Sequence, residues 1–186
     1  MRKNFGAKPY TYPQPVFMIA TYGEDGVPDV MNAAWGGITN DTQITLCISE
    51  NHKTTENLLE RKAFTISMAD VKHLTACDYV GLVSGKNVPD KFARAGFTAS
   101  PSEFVDAPII NELSVAAECR LVSYEEDTCR LVGEIVNISV DERVLDENGK
   151  VDVSKVEPIT FDPFNNTYIR LGDVVGKAFQ DGTALK

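Results

Sequence analysis

Two short stretches of this chain carry residue types that could do chemistry together. Residues 49–60 read SENHKTTENLLE and set His52, Lys53, Thr54 and Thr55 between a strand-like ITLCISE and a helix-like ENLLERK. A helix start exposes backbone N–H groups and a positive partial charge. A cation and hydroxyls beside it make a cradle for one phosphate, with Ser49, His52, Lys53 and Thr54 as the candidates. Thr54 is the expected N-cap, with Asn57 at the third position of a capping box. Taken alone, plain capping with Lys53 in solvent explains the stretch as well. Residues 30–41 read VMNAAWGGITND and crowd Asn32, Ala33 and Ala34 against Trp35, the single tryptophan. Small side chains let a flat ligand reach the backbone, whose N–H and C=O groups can read its edge. A core tryptophan packed beside tight backbone is the alternative. Together the two stretches describe a site for a phosphorylated aromatic cofactor.

Strands must position these residues. VFMIATY (16–22) ends at GEDGVPD, where Asp25-Gly26 supplies a turn. ITLCISE (44–50) alternates, with Ile44, Leu46 and Ile48 on one face and Thr45, Cys47 and Ser49 on the other. AFTISMA (63–69) is a third strand. Two long runs, 114–126 and 129–142, form a hairpin around a short Asp-Thr connection. A pairing of that length needs a curved sheet or barrel to bury one face. Helical patterns are short, at 54–62, 72–80 and 88–95, and LDENGKVD (145–152) is a turn. The expected fold is mainly β, one barrel with peripheral helices, in a single domain over 1–186. Parallel βαβ alternation does not fit it.

The bulk numbers narrow the function. With 18 basic against 27 acidic residues the net charge is −9, and no basic stripe offsets it, so nucleic-acid binding is not expected. Apolar residues at 43% exclude disorder as the main state. MRKNFGAKPYTYPQP has basic residues but no apolar run behind them, so neither an export signal nor a membrane span is expected there. The location expected is the cytoplasm. The glycosylation-like matches at Asn137 and Asn165 are then chance. Cys47, Cys77, Cys119 and Cys129 contain no CxxC and are expected as free thiols.

Other motifs fail. GLVSGKN (81–87) has three residues between Gly81 and Gly85 where a phosphate loop needs four, and Asn87 stands where Ser or Thr should be. A flexible loop between helices is the expected reading. There is no GxGxxG, no HExxH and no GxSxG. His73 and Cys77 lie four apart on a helix, but two ligands do not make a metal site, and an exposed histidine with a buried cysteine is expected. No nucleophile or acid singles out His52 as a catalytic base.

Four segments, in order, resemble the flavin reductase-like family with the FMN-binding split barrel, and within it the flavoredoxin branch. They are GEDGVPDVMNAAWGG (23–37), SENHKTTENL (49–58), VPDKFARAGFT (88–98) and YIRLGDVVGKAF (168–179). The resemblance implies a six-stranded split β-barrel and a homodimer with FMN near the subunit interface. It places Asn32, Ala33, Ala34 and Trp35 along the isoalloxazine edge. Ser49, His52, Lys53 and Thr54 would hold ribityl and phosphate, and Lys91 of the Asp-Lys-Phe element would add a cation. The implied activity is NAD(P)H-dependent flavin reduction, with flavin N5 carrying the chemistry and NADH or NADPH bound transiently. A flavoredoxin-type carrier reduced by a protein partner is the alternative, and a non-redox FMN-binding barrel the third. An acidic surface would suit a basic redox partner.

Overall fold

The structure, a computed structural model, describes residues 1–186. β1 (Gln14–Pro15) leads into β2 (Phe17–Tyr22), β3 (Pro28–Ala33), β4 (Gly36–Asn40) and β5 (Gln43–Cys47). α1 (Lys53–Arg61), β6 (Ala63–Met68), α2 (Leu74–Leu82) and α3 (Lys91–Arg94) follow. Then come the ribbon β7 (Ala99–Pro101) and β8 (Pro108–Ile110), and the long pair β9 (Val115–Glu125) and β10 (Arg130–Val140). α4 (Val153–Val156), β11 (Ile159–Asp162) and β12 (Thr167–Arg170) complete the chain.

The main sheet is antiparallel with order β3-β2-β6-β9-β10-β5-β4. Its two edge strands, β3 and β4, are separated in sequence by only Ala34 and Trp35. One bent run, 28–40, therefore supplies both edges, pairing Ala33 with Phe17 on one side and Gly36 with Leu46 on the other. Counted as one, that run makes six strands, and the ladder breaks only at its corner. This is a split barrel. Bulges in the β9–β10 ladder, one with its extra residue at Val122 of β9 and one at Val136 of β10, supply the curl that a flat hairpin of this length lacks.

Two apolar clusters hold the barrel. Ile19, Met31, Ile44, Leu46, Ile48, Leu58, Phe64, Ile66, Cys119 and Leu131 fill the interior. Met18, Ala20 and Val30, one residue out of phase, pack outward on Cys77 and Val80 of α2, Phe92 of α3 and Phe97 after it. β2 is thus buried on both faces, which is why its sequence is a continuous apolar run rather than an alternation. β1, β11 and β12 form a second, three-stranded sheet. No helix is long and apolar enough to cross a membrane. Residues 171–186 lie exposed along their whole length.

Helix α1 differs from the expectation at its start. The helix begins at Lys53, and His52 is the N-cap position, with extended backbone and no side-chain cap. Thr54 and Asn57 do not form a capping box. Both are buried, together with Thr55, on the underside of the helix. Thr54 Oγ1 donates to Asp29 Oδ2 (2.5 Å), Thr55 Oγ1 to the Ser49 carbonyl (2.8 Å), and Asn57 Nδ2 to Thr21 Oγ1 (3.3 Å). Each of these side chains donates to an acceptor inside the protein instead of accepting from the N–H groups at the helix start.

Candidate cofactor-binding cleft

A cavity of about 500 Å³ opens beside the 34–35 corner, within the size range of small-molecule sites. All nine residues singled out from the sequence line it: Asn32, Ala33, Ala34, Trp35, Ser49, His52, Lys53, Thr54 and Lys91. They come from the bent run 28–40, the β5–α1 connection with the first turn of α1, and the start of α3. The structure shows what each can still offer a ligand.

The corner offers backbone. Ala34 N–H and C=O and Trp35 N–H have no partner within the protein, while the Trp35 carbonyl accepts from Cys47 N–H at 2.9 Å. Trp35 itself is 55% exposed at the rim, so the core-tryptophan alternative does not hold. Asn32 is committed elsewhere. Its amide donates to the Cys77 carbonyl at 3.0 Å and lies where a Cβ on Gly81 would overlap it. It locks β3 to α2.

The start of α1 offers donors. Lys53 and Thr54 N–H have no acceptor in the protein, and no side chain caps the helix. A nine-residue helix with an open N-terminus on a cavity is an anion site in its electrostatics. Lys53 Nζ pairs with Glu56 at 2.8 Å, and Lys86 reaches the same carboxylate at 3.4 Å. His52 is held below the ordinary histidine value by burial, then by the charges of Lys91 and Lys86. These causes favour the neutral imidazole over the charged one.

Lys91 is different from the cation expected of it. Its side chain is 3% exposed; Nζ donates to the Val80 carbonyl (3.2 Å) and the Val83 carbonyl (3.3 Å) and forms an ion pair with Asp29 Oδ1 (3.3 Å). Burial lowers its proton affinity and Asp29 works against that. The ammonium neutralises the carbonyl end of α2. The ammonium is held within the protein by two carbonyls and one ion pair.

A family model for the flavin reductase like domain matches residues 10–160. The chain belongs to the flavin reductase-like family. Among solved structures it is similar to the flavoredoxin of Desulfovibrio vulgaris (Miyazaki F), at TM-score 0.93 and 38% identity over 98% of this chain and 100% of that one. The flavoredoxin of Methanosarcina acetivorans superposes at TM-score 0.86 with 26% identity, covering 100% and 98%. An FMN-binding domain of a flavin reductases-like enzyme from Shewanella baltica OS155 shares the fold at TM-score 0.79 and 17% identity, covering 88% and 89%.

Sequence reasoning missed one wall of the cleft. Val80, Gly81, Val83, Ser84 and Gly85 line it, and so do Cys47, Cys129 and Phe161. The 81–87 stretch fails as a phosphate loop, and its two glycines are the usable signal. Gly81 is needed for the Asn32 amide, and a Cβ on Gly85 would stand 2.6 Å from Asp29 Oδ1. Phe161 comes from the second sheet and left no sequence signal. His73 and Cys77 lie outside the cleft. His73 is not exposed: its Nδ1 sits 2.9 Å from Asp70 Oδ2. Burial pushes the Cys77 thiol up to about 12, where it stays protonated.

Proposed function

We propose that this protein binds FMN in the cleft and is an NAD(P)H-dependent flavin reductase, passing hydride or electrons through the bound cofactor. One observation carries the reading. Unpaired backbone groups at 34–35 and open N–H groups at Lys53 and Thr54 surround a single cavity. The first suits the edge of a flat heterocycle and the second a phosphate. The likeness to an FMN-binding domain of the same fold supports it.

FMN, when bound, supplies a ring nitrogen that accepts hydride. The chain's residues supply placement and charge. The N–H groups of Ala34 and Trp35 would favour negative charge on a heterocycle edge. Lys53, Lys53 N–H and Thr54 N–H would hold the phosphate, and Ser49 and His52 would border the ribityl chain. NADH or NADPH would stack transiently at the open rim beside Trp35, consistent with the absence of GxGxxG from the sequence.

A flavoredoxin-type carrier reduced by a protein partner is the second reading. The likeness to a flavoredoxin at 38% identity favours it, and the net charge of −9 suits a basic partner. A homodimer belongs to both readings. Val174, Val175 and Phe179, each at least 80% exposed on the tail, support it. The four free thiols accord with a cytoplasmic location.

The first test is the visible spectrum of purified protein with an FMN titration. Failure to bind FMN sinks both redox readings. Anaerobic mixing of the FMN-loaded protein with NADH or NADPH separates them: rapid bleaching supports the reductase, and none supports the carrier or a non-redox FMN-binding role. Sedimentation velocity reads the dimer.

A further inference from the structure

The geometry points to Asp29 as a positioning residue for the phosphate end of the cleft, acting from behind its wall. The inference rests on the FMN reading. Asp29 stands on β3, is 6% exposed, and does not line the cavity. It touches three elements that do. Thr54 Oγ1, in the first turn of α1, donates to its Oδ2 at 2.5 Å. Lys91 Nζ, at the start of α3, lies 3.3 Å from its Oδ1. Gly85, in the connection after α2, passes so close that an added Cβ would stand 2.6 Å from Oδ1 and 3.3 Å from the Lys53 Cβ.

One carboxylate therefore sets the spacing between the open start of α1 and the 80–85 connection. A neutral side chain could accept from Thr54. Only a carboxylate both accepts from Thr54 and balances the buried ammonium of Lys91. Asp29 Oδ1 has no donor in hydrogen-bond geometry, so Lys91 meets it as a charge. The Thr54 hydroxyl proton is spent on Asp29. A phosphate at this place is then met by the N–H groups of Lys53 and Thr54, and Asp29 decides where those groups stand.

FMN and riboflavin differ only by the phosphate, so the ratio of their affinities reads this end of the cleft. A general loosening of the fold would weaken both. Flavin fluorescence titrations on wild type, Asp29→Asn, Thr54→Val and Thr54→Ser, with thermal melting of each, make the test. Asp29→Asn should lower the preference for FMN about tenfold or more, the loss of charge-assisted bonds. Thr54→Val should lower it less, and Thr54→Ser should restore it. An unchanged ratio in Asp29→Asn protein that melts like wild type overturns the inference. Should Asp29→Asn fail to fold, a wild-type ratio in Thr54→Val overturns it instead. Wild-type protein that binds neither flavin removes the FMN reading and this inference together. Wild type that prefers FMN, with variants that keep the preference, removes the role of Asp29 alone.

Discussion

Two stretches of this chain look like phosphate loops, 49–58 and 81–87, and the fold brings both to the same cavity with opposite polarity. The first precedes a helix. Its free groups are N–H donors, because nothing caps α1 at His52. The second follows a helix. The carbonyls it leaves at Val80 and Val83 face the buried ammonium of Lys91. Helix starts attract anions and helix ends attract cations. The glycines at 81 and 85 allow close packing against Asn32 and Asp29. A hydroxyl-and-glycine pattern therefore says little until the direction of the neighbouring helix is known.

The contrast can be broken most directly at Lys91. Replacing it by Met strips the cation from the end of α2 and leaves Asp29 buried without a counter-charge. Urea unfolding should show a loss of about 3–5 kcal/mol. A loss under about 1 kcal/mol would mean that Lys91 is a ligand cation and not a structural one. Gly81→Ala comes next. Its methyl group meets the Asn32 amide, and a loss of about 1–3 kcal/mol in stability is expected, as for other overpacked sites. Near-wild-type stability would show that the 81–85 wall has room to move.

Lys53→Met should invert that profile. Lys53 is partly exposed and paired with Glu56, so unfolding should change by less than about 0.5 kcal/mol. FMN affinity should fall about tenfold, read by fluorescence quenching. Equal losses in stability and affinity would erase the distinction between the two stretches.

The smallest effect concerns His52. Its folded value lies below the unfolded value of about 6.5, so the unfolded chain takes up a proton first as the pH drops. Stability should fall from about pH 6.5 down to the lowered folded value and be indifferent to this group above that window. His52→Gln should flatten the wild-type curve in this window. Identical curves from pH 7 to 5 would show that the imidazole is not held neutral.

Much of the barrel was legible because burial leaves a period. Ile44, Leu46 and Ile48 alternate with Thr45, Cys47 and Ser49, and the first three are buried. The β9–β10 hairpin followed from two long extended runs, although the bulges at Val122 and Val136 were not readable. β6 and the three central helices were found within a few residues. The direction of hydroxyls was not legible. Thr54 looked like a cap, and only the approach of β3, placing Asp29 beneath it, turned the hydroxyl inward. Lys91 looked like a free cation for the same reason: its partners lie at 29, 80 and 83, and sequence distance hides them.

By itself the sequence determined the strand faces, the mainly β class, the family resemblance and nine of the residues that gather around one cleft. Those depend on local period and residue type, which the chain carries in order. Tertiary structure alone decided that 28–40 bends to supply both edges of the barrel, and which protons at the cleft are spent inside the protein. Those outcomes depend on pairs such as Asp29 with Lys91, which meet only once β3, α1 and α3 have packed together.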